Sequence, residues 1–232
     1  TSMVQVAWLG HSAVHVKGSG LDILIDPFFT GNPTYPAGYA DQLGKVDAIV
    51  LTHGHEDHLG DTLALAKRFD ATVVAIYEIC MWLGNQGLEK LQPMNIGGTV
   101  EDQGARYTMV NAQHSSAIIR DGVPITMGDP AGFVIKLGGK SLYHLGDTEI
   151  FSDMALIQRI HQPTVGFVPI GDRFTMGPET AAMAVNELLS LETVIPIHWG
   201  TFDLLTGTPD AFKARVERST VLTPAAGELV EI

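Results

Sequence analysis

Five separate apolar runs in this chain each lead into a residue able to bind a metal ion. "LDILI" runs into Asp26, "DAIVLT" into His53, "YTMVNAQ" into His114, "SLYHLG" into Asp147 and "TVIPI" into His198. Short apolar runs rich in β-branched residues read as buried strands. A fold that lays these strands side by side also lays the five polar groups along one edge of its sheets. Sites outside the carboxyl ends of strands follow the same logic in open α/β sheets. The chain is thereby constrained to a strand-rich architecture with one polar, chemically active edge.

The densest point of that edge is "LTHGHEDHLGD", where His53, His55, Asp57 and His58 fall within six residues. Crowded imidazoles gain nothing by packing, because charged rings repel and neutral rings each need a partner. A shared metal resolves both problems. Imidazole and carboxylate ligands without thiolate suit a catalytic divalent ion better than a structural zinc, which usually recruits cysteine. His53 and His55 lie two apart on an extended turn, so both rings can point the same way. Asp57 and His58 sit at the following turn, rotated far enough to serve a second ion nearby. The helical His-Glu-x-x-His zinc motif needs its histidines at i and i+4. Here they are at i and i+3, between Gly54 and Gly60, and that reading is rejected.

The remaining pattern is strands and turns with a few helices. Residues 3–9 and 13–17 read as strands around a Gly10-His11-Ser12 turn, and 21–26 as a strand stopped by Pro27. The Gly/Pro/Tyr-rich loop that follows, to about residue 43, is too long for an ordinary connector. Residues 47–52 read as a buried strand, Asp61 as the cap of a helix through Phe69, and 71–77 as a strand before a short apolar helix. From 96 to 145 strands alternate with turns, Gly138-Gly139 marking a hairpin. Strands at 164–170 and 193–197 bracket a helix opened by Pro178 in its first turn. Thr208-Pro209-Asp210 starts a last helix as cap, first-turn proline and acid, and "GELVEI" reads as a closing strand. The expectation is an α/β (α+β) fold, two sheets packed together with helices outside, in a single domain over 1–232.

Composition narrows the function. A formal charge of −12 opposes binding along a phosphate backbone, which needs a basic face; nucleic acid is excluded as partner, and a small-molecule substrate is expected. No apolar run approaches the roughly 18 to 20 residues of a membrane span, and no basic segment precedes an apolar one as in a signal peptide. No membrane partner is expected and the expected location is cytoplasmic. The single Cys80 rules out an internal disulfide and reads as a small buried thiol. Thr1-Ser2 reads as a cloning remnant ahead of Met3.

The order of these motifs resembles that of the metallo-β-lactamase superfamily over nearly the whole chain. Asp26 in "IDPFF" matches its first motif, and His53, His55, Asp57 and His58 its second. His114 in "QHSS", Asp147 in "GDT" and His198 in "IHWG" match the third, fourth and fifth. The "GDRFTMGPE" and "IHWGTFDLLTGTP" segments look like the short metal-dependent hydrolases of the superfamily, related to ascorbate-6-phosphate lactonase and N-acyl-phosphatidylethanolamine phospholipase D. The resemblance implies a four-layer αββα sandwich. It also implies two divalent metal ions, zinc or else manganese, iron or nickel. His53, His55 and His114 would hold the first, Asp57, His58 and His198 the second, and Asp147 would bridge them. Asp26 would brace the metal loop by hydrogen bonding.

The function implied is a dinuclear metal-dependent hydrolase that turns a metal-bridging hydroxide on a small ester, lactone or phosphodiester. Asp57, His11 and Arg173 are the candidate catalytic residues. Asp57 would orient the hydroxide or shuttle its proton. His11 resembles the early Gly-His of lactonase-like and phospholipase-like members, and acts near the metal edge or is a hydrogen-bonded turn histidine. Arg173 meets an anionic substrate group or is simply exposed. His15, alternating with Val14 and Val16, reads as solvent-facing or sheet-packing, His144 as structural and His161 as a surface residue. Phe28, Phe29, Tyr35 and Tyr39 cover an edge or shape the pocket. The extra domains of glyoxalase-type and nuclease relatives do not fit in 232 residues. A non-catalytic metal- or ligand-binding protein is the alternative. A di-iron redox protein is a weaker one, because its flavin-linked relatives carry a carboxylate where this chain has His55. Related lactonases assemble, which leaves a homo-oligomer open.

Overall fold

In the computed structural model, which describes residues 3–232, the chain builds two seven-stranded sheets; Thr1 and Ser2, the expected cloning remnant, lie outside the described residues. The first sheet takes β1 (Gln5–Trp8), β2 (Val14–Gly18), β3 (Leu21–Ile25), β4 (Ala48–Val50), β5 (Thr72–Ile76) and β6 (Leu91–Met94). The second takes β7 (Thr99–Asp102) and β8 (Ala105–Asn111), passes over a separate ribbon of β9 (Ala117–Arg120) and β10 (Val123–Thr126), and resumes with β11 (Ala131–Leu137) and β12 (Lys140–His144). It is completed by β13 (Val165–Pro169), β14 (Thr193–Ile197) and β15 (Thr220–Val221), while β16 (Leu229–Glu231) returns to pair with β1. Each sheet is antiparallel at one end and parallel at the other, with β3-β4-β5-β6 and β12-β13-β14-β15 running parallel.

Tight turns set the antiparallel registers. Ser19-Gly20, Gln103-Gly104, Asp121-Gly122 and Gly138-Gly139 each place two residues at positive φ between directly paired strand ends. Such left-handed pairs match the right-handed twist of the flanking strands. A one-residue slip would turn each buried face outward. The Gly-Gly hairpin was legible in the sequence. The Asp-Gly ribbon carries the same signal, but its exposed, proline-containing strands hide it.

Alternation along the strands builds the layers. Phe133, Ile135, Leu142 and Phe167 join the core with Ile23, Ile25 and Val50 of the first sheet. Their neighbours Val134, Tyr143 and Val168 point the other way, into a second core with Met154, Ile157, Ala181 and Phe212. These last come from α4 (Met154–His161), α5 (Pro178–Met183) and α6 (Pro209–Lys213), which follow α1 (Glu56–Leu59), α2 (Thr62–Phe69) and α3 (Tyr77–Asn85) in the chain. Leu65, Ile79 and Leu83 of α2 and α3 are buried with the first sheet. The result is an αββα sandwich, as expected. No helix among the described residues is long and apolar enough to cross a membrane.

Pro178 and Pro209 occupy first-turn positions, and the Thr208 hydroxyl accepts from the Ala211 amide as a cap. Asp61 precedes α2 but does not cap it; its carboxylate instead accepts from the amide and hydroxyl of Thr30. Burial pushes the Cys80 thiol up to about 12, which keeps it protonated and inert. His144 is buried and structural: it accepts from the Gly146 amide through Nδ1 and so donates Nε2–H to the Ser12 carbonyl.

That bond belongs to a seam joining the two sheets at their common edge. The His11 carbonyl accepts from the Trp8 indole at 2.8 Å and from the His198 amide at 2.8 Å, and Trp8 stacks on Trp199 at 4.9 Å. Just beyond β13, the position of a Cβ on Gly171 would lie 2.0 Å from the His198 carbonyl oxygen. Gly171→Ala should therefore prise β13 from β14 at this seam. A loss of about 2 to 3 kcal/mol in unfolding free energy is expected from overpacking, read by urea denaturation; an unchanged midpoint would contradict the close approach.

Candidate metal centre

The centre is organised from below by a carboxylate. Asp26, fully buried just after β3, accepts from the Thr52 amide at 2.9 Å and from the Thr52 hydroxyl at 2.6 Å. Its Oδ2 also accepts from His58 Nδ1 at 2.7 Å. Because the Thr52 proton goes to Asp26, the Thr52 oxygen receives the Nδ1–H of His53 at 2.9 Å. One carboxylate thus fixes the ring orientation of two histidines and points both Nε2 atoms inward, the way hydrogen bonds behind metal ligands orient their rings. The loop is clamped from the other side by the Gly54 amide donating to the Ser116 hydroxyl.

Asp147, just after β12, sits at the middle of the inward-facing nitrogens. Its Oδ2 lies 3.0 Å from His58 Nε2, 3.1 Å from His198 Nε2, 3.4 Å from His114 Nε2 and 3.7 Å from His53 Nε2. The donors fall into two main groups, each with atoms within 4.8 Å of one another: His53, His55, His114 and Asp147, and His11, Asp57, His58 and His198. The sequence places every one of these together except His11, which the structure adds to the second group.

The electrostatics are those of a crowded donor set. Burial, reinforced by His58, holds His53 well below the ordinary imidazole range. Burial opposes charge on His58, yet Asp147, Asp57 and Asp26 around it hold its pKa well above that range. Burial likewise opposes ionisation of Asp147, and His198 and His58 overcome it, keeping the carboxyl far below normal. His53 Nε2 and His55 Nδ1 are only 3.0 Å apart.

His11 has a defined place. Its Nε2 is 2.7 Å from Asp57 Oδ2 and its Nδ1 is 2.6 Å from the Thr201 hydroxyl. Burial, then the nearby His198, lowers its pKa to about 4, so the ring is neutral at pH 7. A neutral ring that donates Nε2–H to the carboxylate must accept the Thr201 proton at Nδ1. Burial disfavours charge on Asp57, but His58 and His11 keep it ionised. Thr201 carries no sequence signal, since a threonine three residues past a histidine is unremarkable until the chain turns back on itself. His11, Asp26 and His198 all have left-handed backbones, at φ 55, 47 and 56, a cost of roughly 1 to 2 kcal/mol each carried by the surrounding hydrogen bonds.

A cavity of about 420 Å³ opens over the cluster, lined by His11, His55, Asp57, His114, Asp147 and His198 on its floor and by Ser115, Phe174, Phe202 and Leu205 above. Arg173 is exposed and lies outside this lining; its neighbour Phe174 takes the place. Phe28, Phe29, Tyr35 and Tyr39 do not line it either. Phe29 stacks on Tyr35 at 4.5 Å, so the long loop mainly covers the sheet edge, with Phe28 edge-on to His11. A larger cavity of about 600 Å³ lies away from the cluster, around His15 and Tyr39. There His15 is buried rather than solvent-facing and bridges Asp22 and the Tyr39 hydroxyl at 2.7 Å each. That chain ties the long loop to the sheet.

A beta-lactamase superfamily domain model matches residues 22–199. A UPF0173 metal-dependent hydrolase of Sinorhizobium medicae is 48% identical over 98% of this chain and 99% of its own length. Igni18, a metallo hydrolase of the archaeon Ignicoccus hospitalis, superposes with a TM-score of 0.89 at 36% identity, over 99% of this chain and 98% of that one. CmlA, a diiron β-hydroxylase from Streptomyces venezuelae, shares only the fold, with a TM-score of 0.76 at 15% identity over all of this chain and 54% of that one. With the motif order, the sandwich and the donor cluster in place, the chain belongs to the β-lactamase superfamily, among its UPF0173 metal-dependent hydrolases.

Proposed function

We propose that the protein is a dinuclear metal-dependent hydrolase acting on a small ester, lactone or phosphodiester. The observation that carries this reading is the central Asp147 carboxylate between two donor groups, with buried polar atoms left unpartnered around it. His198 Nδ1 and Asp147 Oδ1 have no hydrogen-bond partner, and His58 Nε2 and His198 Nε2 meet only Asp147 Oδ2, at 3.0 and 3.1 Å, without an aligned hydrogen bond. Each such orphan costs about 1 to 3 kcal/mol, and a cation among them removes the cost. The hydrogen bond between His53 Nε2 and His55 Nδ1, at 3.0 Å, is one that a cation would replace.

His53, His55 and His114 would hold one ion and Asp57, His58 and His198 the other, with Asp147 shared. When bound, such a pair supplies a hydroxide at neutral pH and a Lewis acid for the reacting oxygens. The nitrogen-rich first group suits zinc, and the second, with its added carboxylate, also suits manganese, iron or nickel. Around that chemistry the chain supplies position and proton handling. His11 holds Oδ2 of Asp57 and leaves the other carboxylate oxygen for proton transfer at the scissile bond. Thr201 fixes the His11 ring so that Nε2 is the donor. The apolar side chains Phe174, Phe202 and Leu205 offer surface for a substrate beside the reacting bond. An open, substrate-sized cavity over the cluster supports turnover rather than metal storage, and the imidazole of His55 supports hydrolysis over di-iron redox chemistry.

Metal analysis coupled to ester, lactone and bis(p-nitrophenyl) phosphate assays tests this reading. About two ions per chain with activity restored on reconstitution of the metal-free protein are expected; fewer than one ion would overturn the assignment. Asp57→Asn should keep at least one ion yet lower kcat on the order of 100-fold, and an unchanged rate would remove Asp57 from the mechanism.

Thr201→Val keeps the side-chain shape and deletes the hydroxyl behind His11. Loss of such a supporting bond should lower kcat or metal affinity about 10-fold or more. Wild-type values in both a metal titration and a kinetic assay would reduce Thr201 to packing.

A further inference from the structure

The upper wall of the cavity specifies what flanks the scissile bond. We propose that the substrate carries an uncharged hydrocarbon substituent there, seated against Phe174, Phe202 and Leu205, and no second anionic group. This rests on the hydrolase reading and narrows it to apolar esters or lactones.

Phe174 and Phe202 are 53% and 44% exposed, although both border a cavity floored by polar side chains. They are presented to the cavity opening rather than packed in a core. Their backbone is arranged for the purpose. Asp172 and Arg173 are consecutive left-handed residues at φ 65 and 67, and the Phe174 amide donates to the Asp172 carbonyl at 2.7 Å across Arg173. A γ-turn centred on a non-glycine residue at positive φ is rare and strained, and such strain collects at ligand sites. The Asp172 amide donating to the Met176 carbonyl, and the Asp172 carboxylate accepting from the Arg173 amide, hold it. This turn brings Phe174 to the cavity while Arg173 stays out of the lining.

The second aromatic is delivered in a similar way. His198 and Gly200 are left-handed, Phe202 comes edge-on to His11 at 5.6 Å, and the Leu205 amide closes a turn onto the Phe202 carbonyl. The Gly207 amide donates to the Gly171 carbonyl at 3.0 Å, fastening the two loops together. No lysine or arginine lines the cavity among the described residues, and the chain carries a formal charge of −12. A terminal phosphate or carboxylate on the substituent would meet phenyl rings and no basic side chain. A hydrocarbon finds apolar surface, with the exposed Ser115 as the single neutral polar group on the upper wall.

Two measurements on the metal-loaded protein test the inference separately from hydrolysis. In the first, p-nitrophenyl acetate, butyrate, hexanoate and the carboxylate-ended hemisuccinate are compared. Activity as kcat/KM should rise up to about fourfold per added methylene, and fall at least about tenfold for hemisuccinate against butyrate. In the second, binding of the unreactive ketones 2-butanone, 2-hexanone and 2-octanone is followed by saturation-transfer NMR and should tighten with length. Phe174→Ala and Phe202→Ala, with folding verified by circular dichroism, should flatten both series, and Phe202→Leu should restore part of the slope. Ketone binding that ignores chain length, or hemisuccinate turned over as well as butyrate, would overturn the hydrocarbon seat. If no ester, lactone or phosphodiester is hydrolysed, the hydrolase reading fails, and the ketone series still decides the seat on its own.

Discussion

The buried carboxylate of Asp26 is the constraint on which the site depends. It cannot be left unpaired inside a protein, because a desolvated charge without partners is prohibitively costly. Its three partners are the Thr52 amide, the Thr52 hydroxyl and the His58 ring. Satisfying it locks the loop after β4, chooses which nitrogen of His58 faces inward and, through Thr52, does the same for His53. The inward nitrogens then surround Asp147, which itself needs positive charge. Each stage leaves a deficit that the next group supplies, and the last is left to a cation.

A second principle is visible in the backbone. Among the described residues, left-handed non-glycine residues occur at three kinds of place, of which one is the helix end, at Asp70 after α2 and Gln162 after α4. Some close hairpins beside a glycine, where they match strand twist. Others, namely His11, Asp26, Asp172, Arg173 and His198, lie at the edge where strand ends meet the cavity. There the conformation has no role in sheet registry. It redirects side chains so that groups from both sheets converge, and the interlocking hydrogen bonds of the seam hold the strain in place. The sandwich core behind them, with Phe133, Phe167 and Ile25 fully buried, makes the edge rigid enough for that.

The division of labour around the cavity follows from these two facts. The floor is polar, buried and held by hydrogen bonds from behind, so it is suited to one fixed geometry. The upper wall is mostly apolar, with Phe174 and Phe202 exposed and Leu205 buried, and it is carried on turns outside the sheets. The fold by itself therefore leaves the reacting substituent undetermined.

The sequence by itself determined the strand-rich sandwich and the membership of the donor cluster. Apolar runs ending at Asp26, His53, His114, Asp147 and His198 are local patterns, and alternation with a polar terminus survives in one dimension. Pro178 and Pro209 were legible as helix starts for the same reason. Asp61 was misread as a capping residue because a competing partner, Thr30, is distant in sequence. Thr201 behind His11, the ring orientation of His53 and His58, and the replacement of Arg173 by Phe174 at the cavity were decided only in three dimensions. Each depends on a contact between segments far apart in the chain or on a backbone dihedral that residue type does not specify. Local chemistry named the candidate ligands; tertiary contact chose their orientation and what stands above them.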